Sequence, residues 1–169
     1  MRRFLAATLM LLATGTSMAA DAYDAVYVSD PAVCDRADEP DMNTVLYELK
    51  ATAVAPRVGV WIEGEMNCAF YDLTMHPSPI AESPADVDIF ATARCTAYDV
   101  DFLDMVVVSA NSMGINMANG DTGEVTEDKV QLISLRADTA KLAPDDWDYY
   151  AGIYTKCDAL TVEDLAWPE

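Results

Sequence analysis

The chain has little positive charge. Ten lysines and arginines stand against 29 aspartates and glutamates, for a formal net charge of −19 at pH 7. Nucleic-acid binding is driven largely by counterion release onto a basic surface, so this balance excludes DNA and RNA as partners and disfavours anionic lipid. Histidine is scarcer still. His76 is the only one, so any Ser-His-Asp or Cys-His relay would have to use it. No Gly-x-Ser-x-Gly, Gly-x-Gly-x-x-Gly, phosphate-binding loop or His-Glu-x-x-His occurs, which leaves nucleotide and zinc-protease chemistry without a motif. After residue 20 no apolar stretch approaches the ~18 residues of a membrane helix, so no membrane insertion is expected of the mature chain.

What is present begins with a secretory pattern over residues 1–20. Arg2 and Arg3 are followed by an apolar run, Phe4 to Leu12, broken only by Thr8 and too short to cross a bilayer. Thr14, Gly15, Thr16 and Ser17 end it, and the small residues around Ala19 and Ala20 place cleavage after one or the other. Phe4 directly follows the arginine pair, which fits the general secretory route better than the twin-arginine one. No cysteine stands at the cleavage site to take a lipid. The remainder, 21–169, is one domain by size. It keeps eight basic and all 29 acidic residues, a charge of about −21. The expected location is the periplasm or the medium outside the cell.

Cys34, Cys68, Cys95 and Cys157 all lie in the mature part. An even number in an exported chain implies two disulfides, with three pairings open. The runs around Cys68 and Cys95 are strand-like and joined by a proline-rich connection, which favours Cys68 with Cys95 and Cys34 with Cys157. No Cys-x-x-Cys occurs, so neither a zinc site nor a thioredoxin-like pair is expected.

Short runs with a period of two recur: Tyr23–Val28, Thr44–Leu49, Val58–Ile62, Cys68–Leu73, Asp88–Tyr98, Met105–Ala110, Gly114–Met117, Lys129–Leu135 and Tyr149–Thr155. In Asp88–Tyr98 one face holds Ile89, Ala91, Ala93, Cys95 and Ala97 and the other Thr92, Arg94 and Thr96, the mark of a half-buried antiparallel strand. Val45, Tyr47 and Leu49 read the same way. Val106–Val108 is apolar on both faces, as in a central strand. Asn119 to Gly123 reads as a hairpin turn, and His76 to Pro84 as a surface loop. Helix is expected only as single turns, at Pro144–Trp147 and at Thr161–Leu165, where Asp164 follows Thr161 at capping-box spacing. The sum predicts an all-β domain: one small antiparallel barrel or sandwich of about eight strands with one or two helical turns.

Gly59-Val60-Trp61-Ile62-Glu63, then Cys68, then Ala93-Arg94-Cys95, then Tyr154-Thr155-Lys156-Cys157 resembles a type of small exported bacterial β-meander protein with two disulfides. The resemblance spans roughly Val58 to Cys157. It supports the strand order and the cysteine pairing and implies no activity.

Candidate sites are few. His76 beside Met75 could offer imidazole and thioether to copper, although it reads first as a loop residue. Met105 reads as core packing. Asp99, Asp101 and Asp104, and Asp121, Glu124, Glu127 and Asp128, form acidic clusters that could attract a divalent cation, without a calcium-loop pattern. Trp61 points away from Val60 and Ile62, toward a second layer or toward solvent; Trp147 and Trp167 carry no pattern. No catalytic residue, cofactor or metal ligand is assigned. The expected function is a non-enzymatic, acidic binding or structural module that takes a basic protein, in the manner of an inhibitor. The alternatives are a small barrel carrying an apolar ligand and a carboxylate-dependent hydrolase.

Overall fold

The structure, a computed structural model, describes residues 23–62, 66–77, 87–97, 100–109, 113–115, 122–124, 128–135 and 150–165. Residues 1–22, which include the expected signal, the proline-rich segment 78–86, Asn119–Asp121, Trp147 and Trp167 lie outside these residues.

The fold is all-β. Its strands are β1 (Tyr27–Val28), β2 (Ala53–Ala55), β3 (Gly59–Ile62), β4 (Met66–Pro77), β5 (Val87–Ala97), β6 (Val100–Ser109), β7 (Met113–Ile115), β8 (Thr122–Glu124), β9 (Lys129–Ser134) and β10 (Gly152–Lys156). Eight of them close an antiparallel barrel in the order β1-β10-β9-β6-β5-β4-β3-β2, while β7 and β8 pair with each other as an inserted hairpin. The path is an up-and-down meander from β2 to β10, with β1 sealing the gap. Closure removes the free sheet edges that a β protein must otherwise protect.

The period of two decides what fills the barrel. Ile89, Ala91, Ala93, Cys95 and Ala97 on β5 point inward with Val60, Cys68, Phe70, Phe102, Val106, Val108, Val130, Leu132 and Tyr154. Cys68 and Cys95 are direct register partners on β4 and β5 and are bonded inside the barrel. Gly59 sits where β3 crosses β4. A Cβ there would stand 1.9 Å from the Cys68 carbonyl oxygen, so only glycine lets the two backbones approach.

A second core lies outside the barrel wall. Val26, Val28, Ala53 and Trp61 face outward and are covered by Val33, Met42, Val45, Leu46, Cys157, Leu160 and Leu165. The cover is a 3-10 helix (Pro31–Arg36), helix α1 (Met42–Glu48) and a C-terminal 3-10 turn (Val162–Asp164). The Cys34–Cys157 disulfide fastens the first of these to the end of β10. Trp61 is thus a packing residue of this second layer, only 4% exposed.

Four sequence expectations need correction. Thr44–Leu49 is not a strand: Asp41 caps α1 by accepting the Thr44 N–H at 3.2 Å, and the buried set is Met42, Val45 and Leu46 at helical spacing. The short strand β2, apolar on both faces, was not foreseen. His76 and Pro77 belong to β4 rather than to a loop. Met105 points away from the core and is 49% exposed. The capped turn at Thr161 is present, with the Asp164 carboxylate accepting from the Thr161 N–H at 2.7 Å and from its hydroxyl at 2.8 Å. Pro144–Trp147 lies outside the described residues.

Candidate functional site

Helix α1 divides the cap into two faces. Its inner face is held by Met42, Val45 and Leu46. Its outer face carries Tyr47, the most exposed large hydrophobic residue described, at 59%. The helix ends in a Schellman motif: Ala51 N–H donates to the Leu46 carbonyl at 2.8 Å and Lys50 N–H to Tyr47 at 3.0 Å. Lys50 takes the left-handed conformation this requires, at φ 50°. Tyr47 is therefore presented from a turn fixed at both ends.

Around it the surface is acidic. Asp35, Asp38, Glu39, Asp41 and Glu48 are all exposed, and in the same stretch only Arg36 and Lys50 are basic. Arg36 is spent within the cap, on Glu39 at 2.9 Å and Glu48 at 3.5 Å. The Arg36 guanidinium beside Glu39 holds that carboxyl below its usual range, and the Thr44 hydroxyl and N–H do the same for Asp41. Both stay ionised well into mild acid. The arrangement is a rigid aromatic in a field of negative charge, which can steer and anchor a basic surface.

Asp104, expected in an outward acidic cluster, instead forms a buried polar node of the barrel. Asp104 on β6 has the inward parity of Phe102, Val106 and Val108 and is 2% exposed. It accepts hydrogen bonds from the hydroxyls of Ser134 and Tyr150, and the Tyr154 hydroxyl donates to the Tyr150 carbonyl. The signal was legible: an aspartate on the apolar parity of a central strand. Its partner Tyr150 lies just before β10, in the run Tyr149–Thr155 and on the parity of Tyr154. A carboxylate held this way is a structural tie, because truncating a donor to a buried charge costs about 1.5–3 kcal/mol. Tyr150→Phe should lower the free energy of unfolding by that amount in a urea titration.

The buried phenols set an alkaline limit. Burial, then the charge of Asp104, pushes the Tyr150 hydroxyl far above its ordinary value; burial alone does so for Tyr154. Burial, then Tyr23 and Asp158, pushes Tyr27 up to about 12 from 10.0. The folded state holds these protons more tightly than the unfolded chain. For Tyr27 this stabilisation is complete below about pH 10 and is lost as pH rises through about 12; for Tyr150 and Tyr154 it persists to higher pH. In a spectrophotometric titration Tyr150 and Tyr154 should ionise together with loss of near-ultraviolet circular dichroism, not before it.

Other candidates do not assemble. Register sets His76, Asp88 and Ser109 side by side on β4, β5 and β6. A hydrolytic relay needs the imidazole between serine and carboxylate, and here the carboxylate is in the middle. The His76 ring instead meets Phe90 edge-on, with centroids 5.5 Å apart. Met75 and His76 are consecutive in a strand and point to opposite faces, so they cannot share a copper ion. Asp101 points outward and Asp104 inward, so they do not converge on a cation, and Asp99 lies outside the described residues. So do Asp121, Glu127 and the side chain of Glu124, while Asp128 is exposed. Among the described residues no three of His, Cys, Asp and Glu are grouped to hold a metal. The inward side chains of the described barrel strands are buried and mostly apolar. A cleft of about 290 Å³ is lined by Tyr23, Asp24, Arg57, Thr161 and Glu163 among others, with Arg57 paired to Asp24 at 3.3 Å. That cleft is not the apolar cavity that a carrier of apolar ligands requires.

These features define a closed, disulfide-bonded β-barrel with a stapled acidic cap, and no described helix is long and apolar enough to cross a membrane. Compared with models of known protein families, with curated proteins and with solved structures, the chain matches none.

Proposed function

We propose that this protein is an exported binding module of the periplasm or the extracellular medium, and that its acidic cap captures a basic protein in the manner of an inhibitor. The observation that carries the reading is Tyr47, exposed on the outer face of α1 in a cap segment whose exposed charges are mostly carboxylates. The chain's formal charge of −19 supplies long-range steering, and the aromatic supplies the anchor that charge alone lacks. Two disulfides suit an oxidising compartment.

The test is surface-immobilised protein exposed to a panel of basic proteins, lysozyme among them, across a salt series. Binding should weaken steeply with salt. Tyr47→Ala should raise the dissociation constant by about tenfold or more, as truncation of an aromatic hot spot does. Absence of any salt-sensitive retention, or equal binding by Tyr47→Ala, contradicts the proposal.

A further inference from the structure

Apart from Tyr47, every large hydrophobic side chain exposed among the described residues lies on β4, on β6 or at the end of β9. Register aligns several of them. Tyr71, Thr92 and Met105 are side by side on β4, β5 and β6, and the Leu135 N–H donates to the Met105 carbonyl at 2.7 Å, which carries the row to a fourth strand. The next row is Ala69, Arg94 and Leu103. All point away from the barrel interior, opposite in parity to Phe102, Asp104 and Val106. Tyr71 is 42% exposed, and Leu103, Met105 and Leu135 are each 49% exposed. Farther along β6 the outward Val107 and Ser109 are buried, so the exposed stripe ends there.

The stripe differs from the rest of the surface in charge as well as polarity. Its two rows contain no carboxylate. Their one charge is Arg94, whose guanidinium lies 5.3 Å over the Tyr71 ring. Exposed carboxylates stand at the rim: Asp72 beside Tyr71 in the β4 bulge, and Asp101 one row beyond Leu103, opposite Thr96. A contiguous exposed apolar stripe is often a binding surface. The surface that fits it brings apolar side chains and a carboxylate for Arg94. A second copy of this chain brings both. An apolar centre with one cation inside and anions on the rim is self-complementary, as a two-fold interface requires.

We propose that the outer wall of β4, β5 and β6 is a two-fold self-association surface, built on Tyr71, Arg94, Leu103, Met105 and Leu135. Four large apolar side chains make only a small interface, so the dimer is weak and depends on concentration. Sedimentation velocity on oxidised protein, from low to high micromolar, tests it. The wild type should shift from monomer to dimer, and more readily as salt is raised, because salt screens repulsion between like-charged copies. That is opposite in sign to capture by the cap. Met105→Asp and Leu103→Asp should weaken the dimer by about tenfold or more. Both side chains are half exposed, so the thermal midpoint should stay near that of the wild type; Arg94→Glu serves if either variant fails to fold. Tyr47→Ala should leave the dimer unchanged. A wild-type chain that stays monomeric over the whole range overturns the proposal. So does a dimer indifferent to the wall variants or lost in Tyr47→Ala.

Discussion

A Gly59→Ala variant is expected to lose the closed barrel. The added methyl would lie 1.9 Å from the Cys68 carbonyl oxygen and 3.3 Å from the Ala69 Cα. The first of these atoms belongs to backbone in register with β3, and its residue is bonded to β5 through Cys95. It cannot yield as the end of a flexible side chain would. Relief requires β3 to leave β4, which opens the barrel beside its own disulfide. The cost is expected to exceed about 4 kcal/mol, a range reached only when packing or backbone geometry is broken outright. Urea unfolding followed by circular dichroism measures it. Gly152→Ala on β10 is the control: nothing lies within 4 Å of its Cβ position, and its stability should change by less than about 1 kcal/mol. Equal stability of the two variants would show that β3 and β4 are not paired in this register.

The second large effect is loss of the Cys34–Cys157 bond. It closes a sequence separation of 123, against 27 for Cys68–Cys95. Constraint of the unfolded chain grows with the logarithm of loop length, so the long bridge contributes about 5 kcal/mol and the short one about 3.5. Domains are stable by only about 5–15 kcal/mol, so removing the long bridge takes a large share. The Cys34→Ser, Cys157→Ser double variant should unfold at a much lower urea concentration than wild type. Its consequence for function is specific. The bridge holds the 3-10 helix against β10, and that helix carries the Arg36 that ties Glu39 and Glu48 into the cap. With the bridge gone, binding at Tyr47 should weaken more than at any carboxylate removed singly. A double variant that binds and unfolds like the wild type would contradict both expectations.

Much of the barrel is written in the sequence by parity. On β5 the alternation of Ile89, Ala91, Ala93, Cys95 and Ala97 with Thr92, Arg94 and Thr96 leaves one way to face the strand. Trp61 out of phase with Val60 and Ile62 pointed to a second layer or to solvent, and packing of the cap decides for the layer. Asp104 was legible by the same rule. Helix α1 was not, because Val45, Tyr47 and Leu49 fit a period of two while Met42, Val45 and Leu46 fit a period of 3.6 in the same residues. Asp41 at the N-cap position decides between them. β2 was hidden because Ala53, Val54 and Ala55 are apolar on both faces and short. The acidic surface was visible only as composition. Its organisation around Tyr47 depends on which face of α1 is buried, and this follows from packing between segments far apart in the chain.

The account rests on the covalent framework that holds the cap to the barrel, and a non-reducing tryptic mass map of protein recovered from its native compartment tests it directly. Trypsin separates all four cysteines, because Arg36, Arg57, Arg94, Lys129 and Lys156 place them on different peptides. The fragment ending at Arg36 should be recovered joined to Cys157–Glu169, and Val58–Arg94 joined to Cys95–Lys129. Free thiols, or a bridge from Cys34 to Cys68 or Cys95, would contradict it.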